Sequence, residues 1–172
     1  MKRAIVMVLL VAGCAGKSSS PGWSPQTAAE LQAQTEAMFK SIDGNDIPGL
    51  KAMLDENPTV FDIDPNNQVV QFYGSADVQK YLDVYTEAAK TGMTVQSTIR
   101  RIDCRGNDTM GYCTVEFDQV FTMNGQQMGP LKFQGTLVAR KVGGGWKLNH
   151  WNSSFREMPA APAAPDSASA PH

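Results

Sequence analysis

The sequence predicts an α+β domain in which a long antiparallel sheet wraps over three helices. Apolar residues recur at helical spacing in three segments before residue 93, and residues 93–155 alternate between strand-like runs and turn signals. Helices that precede a continuous meander are typical of the α+β class, because they then cover one face of the sheet. A long curved sheet over helices leaves a hollow between the two layers, and we look for site residues there.

Start and stop signals bound the three helices. The first helix begins at Ser24-Pro25 or at the capping box Thr27-x-x-Glu30, and Asp43-Gly44-Asn45 ends it. Asp46 caps a short second helix, and Ser75 caps the third. The clearest apolar stripe lies on the third helix and consists of Val78, Tyr81, Leu82, Tyr85 and Ala89.

Six strands follow from the alternating runs, and one hairpin fixes a register. The strands cover about residues 59–63, 69–73, 94–104, 110–123, 126–142 and 146–155. A two-residue turn at Asn124-Gly125 would pair Glu116 with Phe133 and so mix polar and apolar residues on one face. A one-residue bulge near Gly129-Pro130 restores the match by bringing Phe117 beside Phe133, and we predict that bulge.

Two of the three cysteines are expected to form a disulfide. Cys104 and Cys113 flank a run rich in turn formers, and a hairpin over that run places them within the ~5.5–6 Å Cα separation that a disulfide prefers. An oxidising compartment outside the cytoplasm favours the bond, with two unpaired thiols as the alternative. The chain has two histidines without ligand spacing, so no metal site is predicted.

The first fourteen residues predict export and lipid anchoring. Lys2 and Arg3 precede an apolar run at residues 4–12, which is the pattern of a secretory signal peptide. Val11-Ala12-Gly13-Cys14 resembles the lipobox of bacterial lipoproteins, with a plain signal peptide and a chance cysteine as the alternative. The resemblance implies that Cys14 becomes an amino terminus carrying diacylglycerol and an amide-linked acyl chain such as palmitate. Ala15 after the cysteine favours the outer membrane, so we expect a lipid-anchored cell-envelope protein facing the periplasm.

These signals divide the chain into four parts. We expect a signal peptide at 1–13, a flexible tether at 14–23, one ordered domain at 24–158 and a disordered Ala-, Pro- and Ser-rich tail at 159–172. Lys and Arg number 15 against 17 Asp and Glu, a net charge of −2. This balance excludes a polybasic nucleic-acid binder. No apolar run reaches the ~18 residues that a spanning helix needs.

Three segments resemble the nuclear transport factor 2-like superfamily, in its SnoaL-like and ketosteroid-isomerase-like branch. They are residues 39–54, a helix–turn–helix with Asn-Asp at the turn; residues 59–82, where a strand, Asp-Pro and a Gly precede the third helix; and residues 145–154, which are similar to the closing strand. The resemblance implies an α+β cone with a pocket at its open end, often dimeric through the sheet.

The resemblance also allows the residues that ketosteroid isomerisation needs to be looked for in this chain. That activity needs a carboxylate base, where this chain has Asp62 and Asp64, together with a tyrosine and a neutral acid that stabilise an oxyanion. The tyrosine position holds Met38, and no carboxylate lies near Thr136, where the acid is expected. The set is incomplete, so we commit to no catalytic residue.

Seven residues are candidates for lining the hollow. Asp62 and Asp64 share a strand face and offer a base or a polar anchor, although turn formation is the alternative. His150 shares a strand face with Trp146 and Leu148, where it is either an acid–base group or a structural histidine. The apolar candidates, for which simple packing is the alternative, are Met38, Phe39, Tyr73 and Tyr85.

The sequence therefore favours a non-catalytic module that binds a small apolar or amphipathic molecule or a protein partner, and a homodimer is a further expectation. An isomerase- or dehydratase-type enzyme using Asp62 or Asp64 with His150 is the alternative. A third hypothesis is a scaffold whose cone is plugged by Met38, Phe39 and Tyr85. No cofactor is predicted, because no glycine loop precedes a helix in the way that phosphate binding requires.

Overall fold

The computed structural model describes residues 22–63 and 68–157, so the predicted signal peptide, Cys14, Asp64 and the tail at 159–172 lie outside the described residues. The described residues form the predicted α+β fold, with one six-stranded sheet of order β2-β1-β6-β5-β4-β3. β1 is parallel to β6, and the other neighbours are antiparallel. Over these two ranges, no helix has the length and apolar character that crossing a membrane requires. The elements are α1 (Pro25–Asp43), α2 (Ile47–Met53), β1 (Leu54–Ile63), β2 (Val69–Tyr73), α3 (Gly74–Lys90), β3 (Thr94–Gly106), β4 (Met110–Met123), β5 (Gln126–Val142) and β6 (Gly145–Phe155).

The caps of α1 and α2 lie where the sequence predicts them. The Ser24 hydroxyl oxygen accepts the Thr27 N–H at 3.3 Å, and a carboxylate oxygen of Asp46 accepts the Gly49 N–H at 2.9 Å. Each bond satisfies a backbone donor that the first turn of a helix leaves without a partner. The sequence therefore encodes the start of both helices locally.

The predicted cap of α3 at Ser75 is wrong. Tyr73 is the capping residue and has no side-chain cap bond. Asp77 in the first turn accepts the Tyr73 N–H at 3.2 Å instead. Gly74 has a φ of +71°, a left-handed conformation that glycine adopts without a Cβ penalty. The turn at this glycine starts the helix before Ser75.

The predicted disulfide is present in the structure. Cys104 and Cys113 face each other across β3 and β4, and their sulfur atoms are bonded. Cys113 is fully buried beneath α1, where the Thr35 hydroxyl lies 3.4 Å from its sulfur. The bond therefore joins the two strands directly under the first helix.

The predicted bulge in the β4–β5 hairpin is confirmed. Phe117 faces Phe133, and further along the hairpin Phe121 faces Met128. Between these two pairs β5 carries one residue more than β4, in the segment that contains Gly129-Pro130. The extra residue keeps the aromatic residues of both strands on the inner face of the sheet.

A second bulge, in β6, overturns the predicted face of His150. Val138 faces His150 while the next residue of β5, Ala139, faces Leu148, so Asn149 is the extra residue of β6. The bulge reverses the alternation of β6. Leu148 lies on the inner face, and beyond His150 the odd-numbered residues lie on that face as well. His150 therefore lies on the outer face, and its predicted sharing of a face with Leu148 is wrong.

The core lies between the helices and the inner face of the sheet. Phe39 of α1 packs edge-on against Phe117, with ring centroids 4.8 Å apart, and against Trp151 at 6.1 Å. Leu31 and Leu82 are completely buried on α1 and α3. The core fills the space beneath α1 and leaves a cavity beneath α3.

Candidate functional site

A cavity of about 350 Å³ lies between the inner face of the sheet and the two long helices. Its walls are mostly aromatic and aliphatic, as in typical small-molecule sites, which are concave and apolar with a few placed polar groups. Val84 and Met128 line it and are about half exposed, so they mark its opening to solvent. The aromatic lining residues are Phe39, Phe72, Tyr81, Tyr85, Phe117, Phe121, Phe133, Trp151 and Phe155.

A polar cluster around Asp62 interrupts this apolar wall. The Tyr81 and Tyr85 hydroxyls lie 3.2 Å and 3.5 Å from Asp62 Oδ2, and 3.1 Å from each other. The Ser153 hydroxyl and the Ile63 N–H both donate to Asp62 Oδ1. Donors therefore lie at both oxygens of the carboxyl group, and Trp151 adds a further hydrogen bond.

The backbone explains why these side chains meet. Val60 and Asp62 alternate with Phe61 along β1 and so point inward. Asp62 lies beside Ser153 because Phe61 pairs with the preceding residue of β6. Tyr81 and Tyr85 are four residues apart on α3, which places both on the helix face above the sheet.

Burial controls the ionisation of the cluster. Burial raises the pKa of Asp62, while hydrogen bonds from Ser153, the Ile63 N–H, Tyr81 and Trp151 oppose the shift. Burial, followed by the charges of neighbouring groups, raises the pKa of Tyr81 and of Tyr85 well above the ordinary tyrosine value. Both tyrosines are therefore neutral hydroxyl groups at physiological pH, and Asp62 is the group that titrates.

The structure places the remaining predicted residues in different environments. Phe39 and Tyr85 line the cavity with Asp62, whereas Met38 is buried in the core and does not line it. Met38 is therefore wrong as a pocket residue, because its neighbour Phe39 takes the face that points at the cavity. Asp64 lies outside the described residues.

Tyr73 and His150 are both wrong as pocket residues, since they lie on the outer face of the sheet. Tyr73 is 55% exposed, because the alternation of β2 points Phe72 into the cavity and turns the next residue out. The Phe61 ring packs edge-on against Tyr73 at 5.6 Å and against His150 at 5.5 Å. Asp62 and His150 therefore cannot act together on one substrate.

Sequence reasoning missed Ser153 and Trp151 as site residues. The β6 bulge places them on the inner face, and nothing in the local composition around Asn149 signals that bulge. The sequence did indicate Tyr81 as a site residue, because it lies one helical turn from Tyr85 on the predicted apolar stripe.

The outer face of the sheet carries a separate polar groove of about 310 Å³. Arg156 donates to Glu116 at 2.8 Å and to Asp118 at 3.2 Å, and Arg100 donates to Asp118 at 2.8 Å. These bonds neutralise the two carboxylates. The groove is lined by Arg101, Thr114, Val115, Glu116, Gln134, Gly135, Thr136, Asn152 and Ser154.

Comparison with known proteins identifies the type of domain. Residues 31–159 match a family model described as a SnoaL-like domain. None of the curated proteins matches the sequence significantly.

Solved structures of similar fold belong to proteins described in different ways. An NTF2-like protein of unknown function from Pseudomonas putida KT2440 has a TM-score of 0.63 at 16% identity, over 80% of this chain and 100% of that one. A ketosteroid isomerase-like protein from Erwinia carotovora atroseptica SCRI1043 has a TM-score of 0.61 at 15% identity, over 78% and 100%. The CaMKII hub of S. rosetta has a TM-score of 0.58 at 18% identity, over 78% and 98%. At such identities the likeness shows the fold alone.

Proposed function

The chain belongs to the SnoaL-like domain family, and we propose that its domain is a non-catalytic module that binds one small apolar or amphipathic molecule. The cavity carries this proposal, because it combines about 350 Å³ of space, an aromatic wall and one polar cluster. A buried polar group in an apolar wall orients a ligand that has one polar end. The plugged scaffold is disfavoured, since Phe39 and Tyr85 form the wall and leave the space open.

The surroundings of Asp62 argue against catalysis. An acid–base enzyme needs its groups within hydrogen-bond reach of one substrate, whereas His150 lies on the opposite face of the sheet. Both oxygens of Asp62 already have protein donors, which leaves the carboxyl group poorly placed to take a substrate proton. The cluster is better suited to holding a ligand than to transforming it.

One observation favours an isomerase- or dehydratase-type enzyme as the second candidate. Burial raises the pKa of Asp62 inside the cavity, and general bases are tuned in this direction. Asp62→Asn keeps the shape of the side chain and removes the base. If an extract substrate is converted by the wild type and not by this variant, the non-catalytic proposal is overturned.

Release of a retained molecule tests the binding proposal. The purified protein is denatured, and the small molecules that it releases are identified by mass spectrometry. Ala88→Trp fills the cavity from α3, whereas Ala76→Trp adds the same bulk at an exposed position of that helix that does not line the cavity. We expect a molecule from the wild type and from Ala76→Trp, and none from Ala88→Trp. Equal release from all three proteins, or release from none, contradicts the proposal.

We also propose that Cys14 anchors the protein to the outer membrane, with the domain in the periplasm. The lipobox-like sequence Val11-Ala12-Gly13-Cys14 supports this proposal. Cys14→Ser is expected to release the protein from the membrane fraction. Intact-mass analysis of the wild type is expected to show the mass of the added acyl chains. A wild type without acyl mass contradicts it.

For the interaction with other proteins, we propose that two copies of the chain form a homodimer through their sheets. The outer face supports it, because that face carries the polar groove and Tyr73 is more than half exposed on it. Light scattering of the purified chain gives the mass in solution. Tyr73→Arg is expected to lower a dimer mass to that of the monomer, and a wild-type monomer contradicts the proposal.

A further inference from the structure

In the part of the chain that the structure describes, the carboxyl group of Asp62 has no basic partner in the cavity. Among the described residues that line the cavity, none is Lys, Arg or His. The groups that donate to Asp62 are all neutral: three hydroxyls, one backbone N–H and the indole of Trp151. Neutral donors stabilise a buried carboxylate but leave its negative charge uncompensated.

The wall around that charge consists of aromatic rings. Trp151, Tyr81 and Tyr85 adjoin Asp62 itself, and Phe117 and Phe133 continue the wall away from it. Aromatic faces attract a cation through the ring quadrupole, more strongly where water is excluded. The cavity therefore offers a cation two favourable interactions, with a carboxylate that has no basic partner among the described lining residues and with a wall of aromatic rings.

The hydrogen bonds of the cluster indicate which cation fits. Each oxygen of Asp62 is already close to two donors, so a ligand gains little by donating a further hydrogen bond. A substituted ammonium group needs no such bond, because its charge is spread over alkyl carbons that also pack against the rings. A carboxylate or phosphate ligand is disfavoured by repulsion from Asp62.

We propose that the ligand of the cavity is an apolar molecule carrying a substituted ammonium group, which lies among the aromatic rings and balances the charge of Asp62. The inference rests on the proposed function and names the chemical class of its ligand. The elevated pKa of Asp62 supports it, because burial without a cation destabilises the charged form and a bound cation restores it.

Two probes of the same shape test the proposal on the full purified chain by isothermal titration calorimetry. Phenyltrimethylammonium and tert-butylbenzene differ in one atom and in charge. We expect the cation to bind the wild type at least tenfold more tightly than the neutral probe. Asp62→Asn is expected to lower this preference strongly and to leave only the attraction of the rings, whereas Asp83→Asn, which removes an exposed charge from α3, is expected to retain it in full.

A pH series on the wild type keeps the test valid if Asp62→Asn fails to fold. The other titratable groups facing Asp62 in the described structure are Tyr81 and Tyr85 on α3, and their raised pKa keeps them neutral on the acid side. Acidification below the pKa of Asp62 is therefore expected to weaken the binding of the cation about tenfold per pH unit and to leave the affinity for the neutral probe unchanged.

The outcomes separate the two proposals. Equal affinity of the wild type for both probes overturns the cationic ligand and leaves the binding function standing. A cation preference that is undiminished in Asp62→Asn, or one that does not weaken with acid, also overturns it. Failure of both probes, together with an empty cavity in the release experiment, overturns the binding function itself.

Discussion

A buried ion pair at the start of β1 gives a stability prediction whose size follows from the structure. The side chain of Asp55 is 2% exposed, and Arg140 of β5 donates to it through Nε and, at 2.6 Å, through Nη2. The side-chain amide of Asn149 donates to the same carboxylate at 3.2 Å. These bonds, with Arg140 foremost and burial opposing them, lower the pKa of Asp55 to about 2.

The shift converts into a pH-dependent free energy of unfolding. A fall from 3.8 to about 2 corresponds to about 2.4 kcal/mol, and screening at the half-exposed Arg140 reduces this to about 2 kcal/mol. Because the pKa of the folded state lies below that of the unfolded state, this stabilisation is complete above about pH 4–5. It is lost as the pH falls through 3.8 towards 2.

Asp55→Asn removes the charge and nearly keeps the shape. We expect urea unfolding to show a loss of about 2 kcal/mol relative to the wild type at pH 7 and a much smaller difference at pH 2. Asp103→Asn is the matched control, because Asp103 pairs with Arg105 at the surface, where both side chains are about half exposed. That variant is expected to unfold like the wild type. A loss of the same size at both pH values, or no loss at pH 7, would refute the reasoning.

Two further predictions concern the sheet. Replacing Cys104 and Cys113 with Ser is expected to lower the free energy of unfolding by about 2–3 kcal/mol, which is the chain-entropy value for a loop of this length. Urea titrations of the oxidised wild type and the variant measure this difference, and equal midpoints would contradict the prediction. Gly135→Ala places a Cβ 2.7 Å from the Trp151 ring and 2.9 Å from the Asn152 carbonyl oxygen. We expect a loss of about 1–3 kcal/mol by the same measurement, and an unchanged midpoint would show that the strand can shift.

Local signals were sufficient to predict most of the fold. Most strand and helix bounds follow from alternation, caps and turns, which depend on neighbours in sequence, but β1 begins at Leu54 and not near residue 59 as predicted. The bulge at Gly129-Pro130 was predictable for the same reason, since the faces of Phe117 and Phe133 agree only if it is present. Ser75 shows the limit of such signals, because a cap residue loses its role when the preceding glycine turns the chain first.

The polar cluster of the site was only half predictable. Asp62 and Tyr85 lie on elements whose alternation or helical period is regular, so their inward direction follows from sequence. Ser153 follows the bulge at Asn149, where the sequence has neither glycine nor proline. The side chain of Asn149 bonds to Asp55, 94 residues away in the chain. An interaction between positions so distant in sequence leaves no periodic signal in either strand.

That bulge decides the chemistry of the cavity. A regular β6 continuing from Leu148 would point His150 into the cavity, and a histidine next to Asp62 would supply the acid–base pair that an enzyme needs. The extra residue at Asn149 instead points Trp151 and the Ser153 hydroxyl inward. An indole and a hydroxyl can hold a ligand, but neither titrates near neutral pH. One inserted residue thus turns away His150, the residue that the sequence offered as the acid–base partner of Asp62, and leaves a cavity suited to binding.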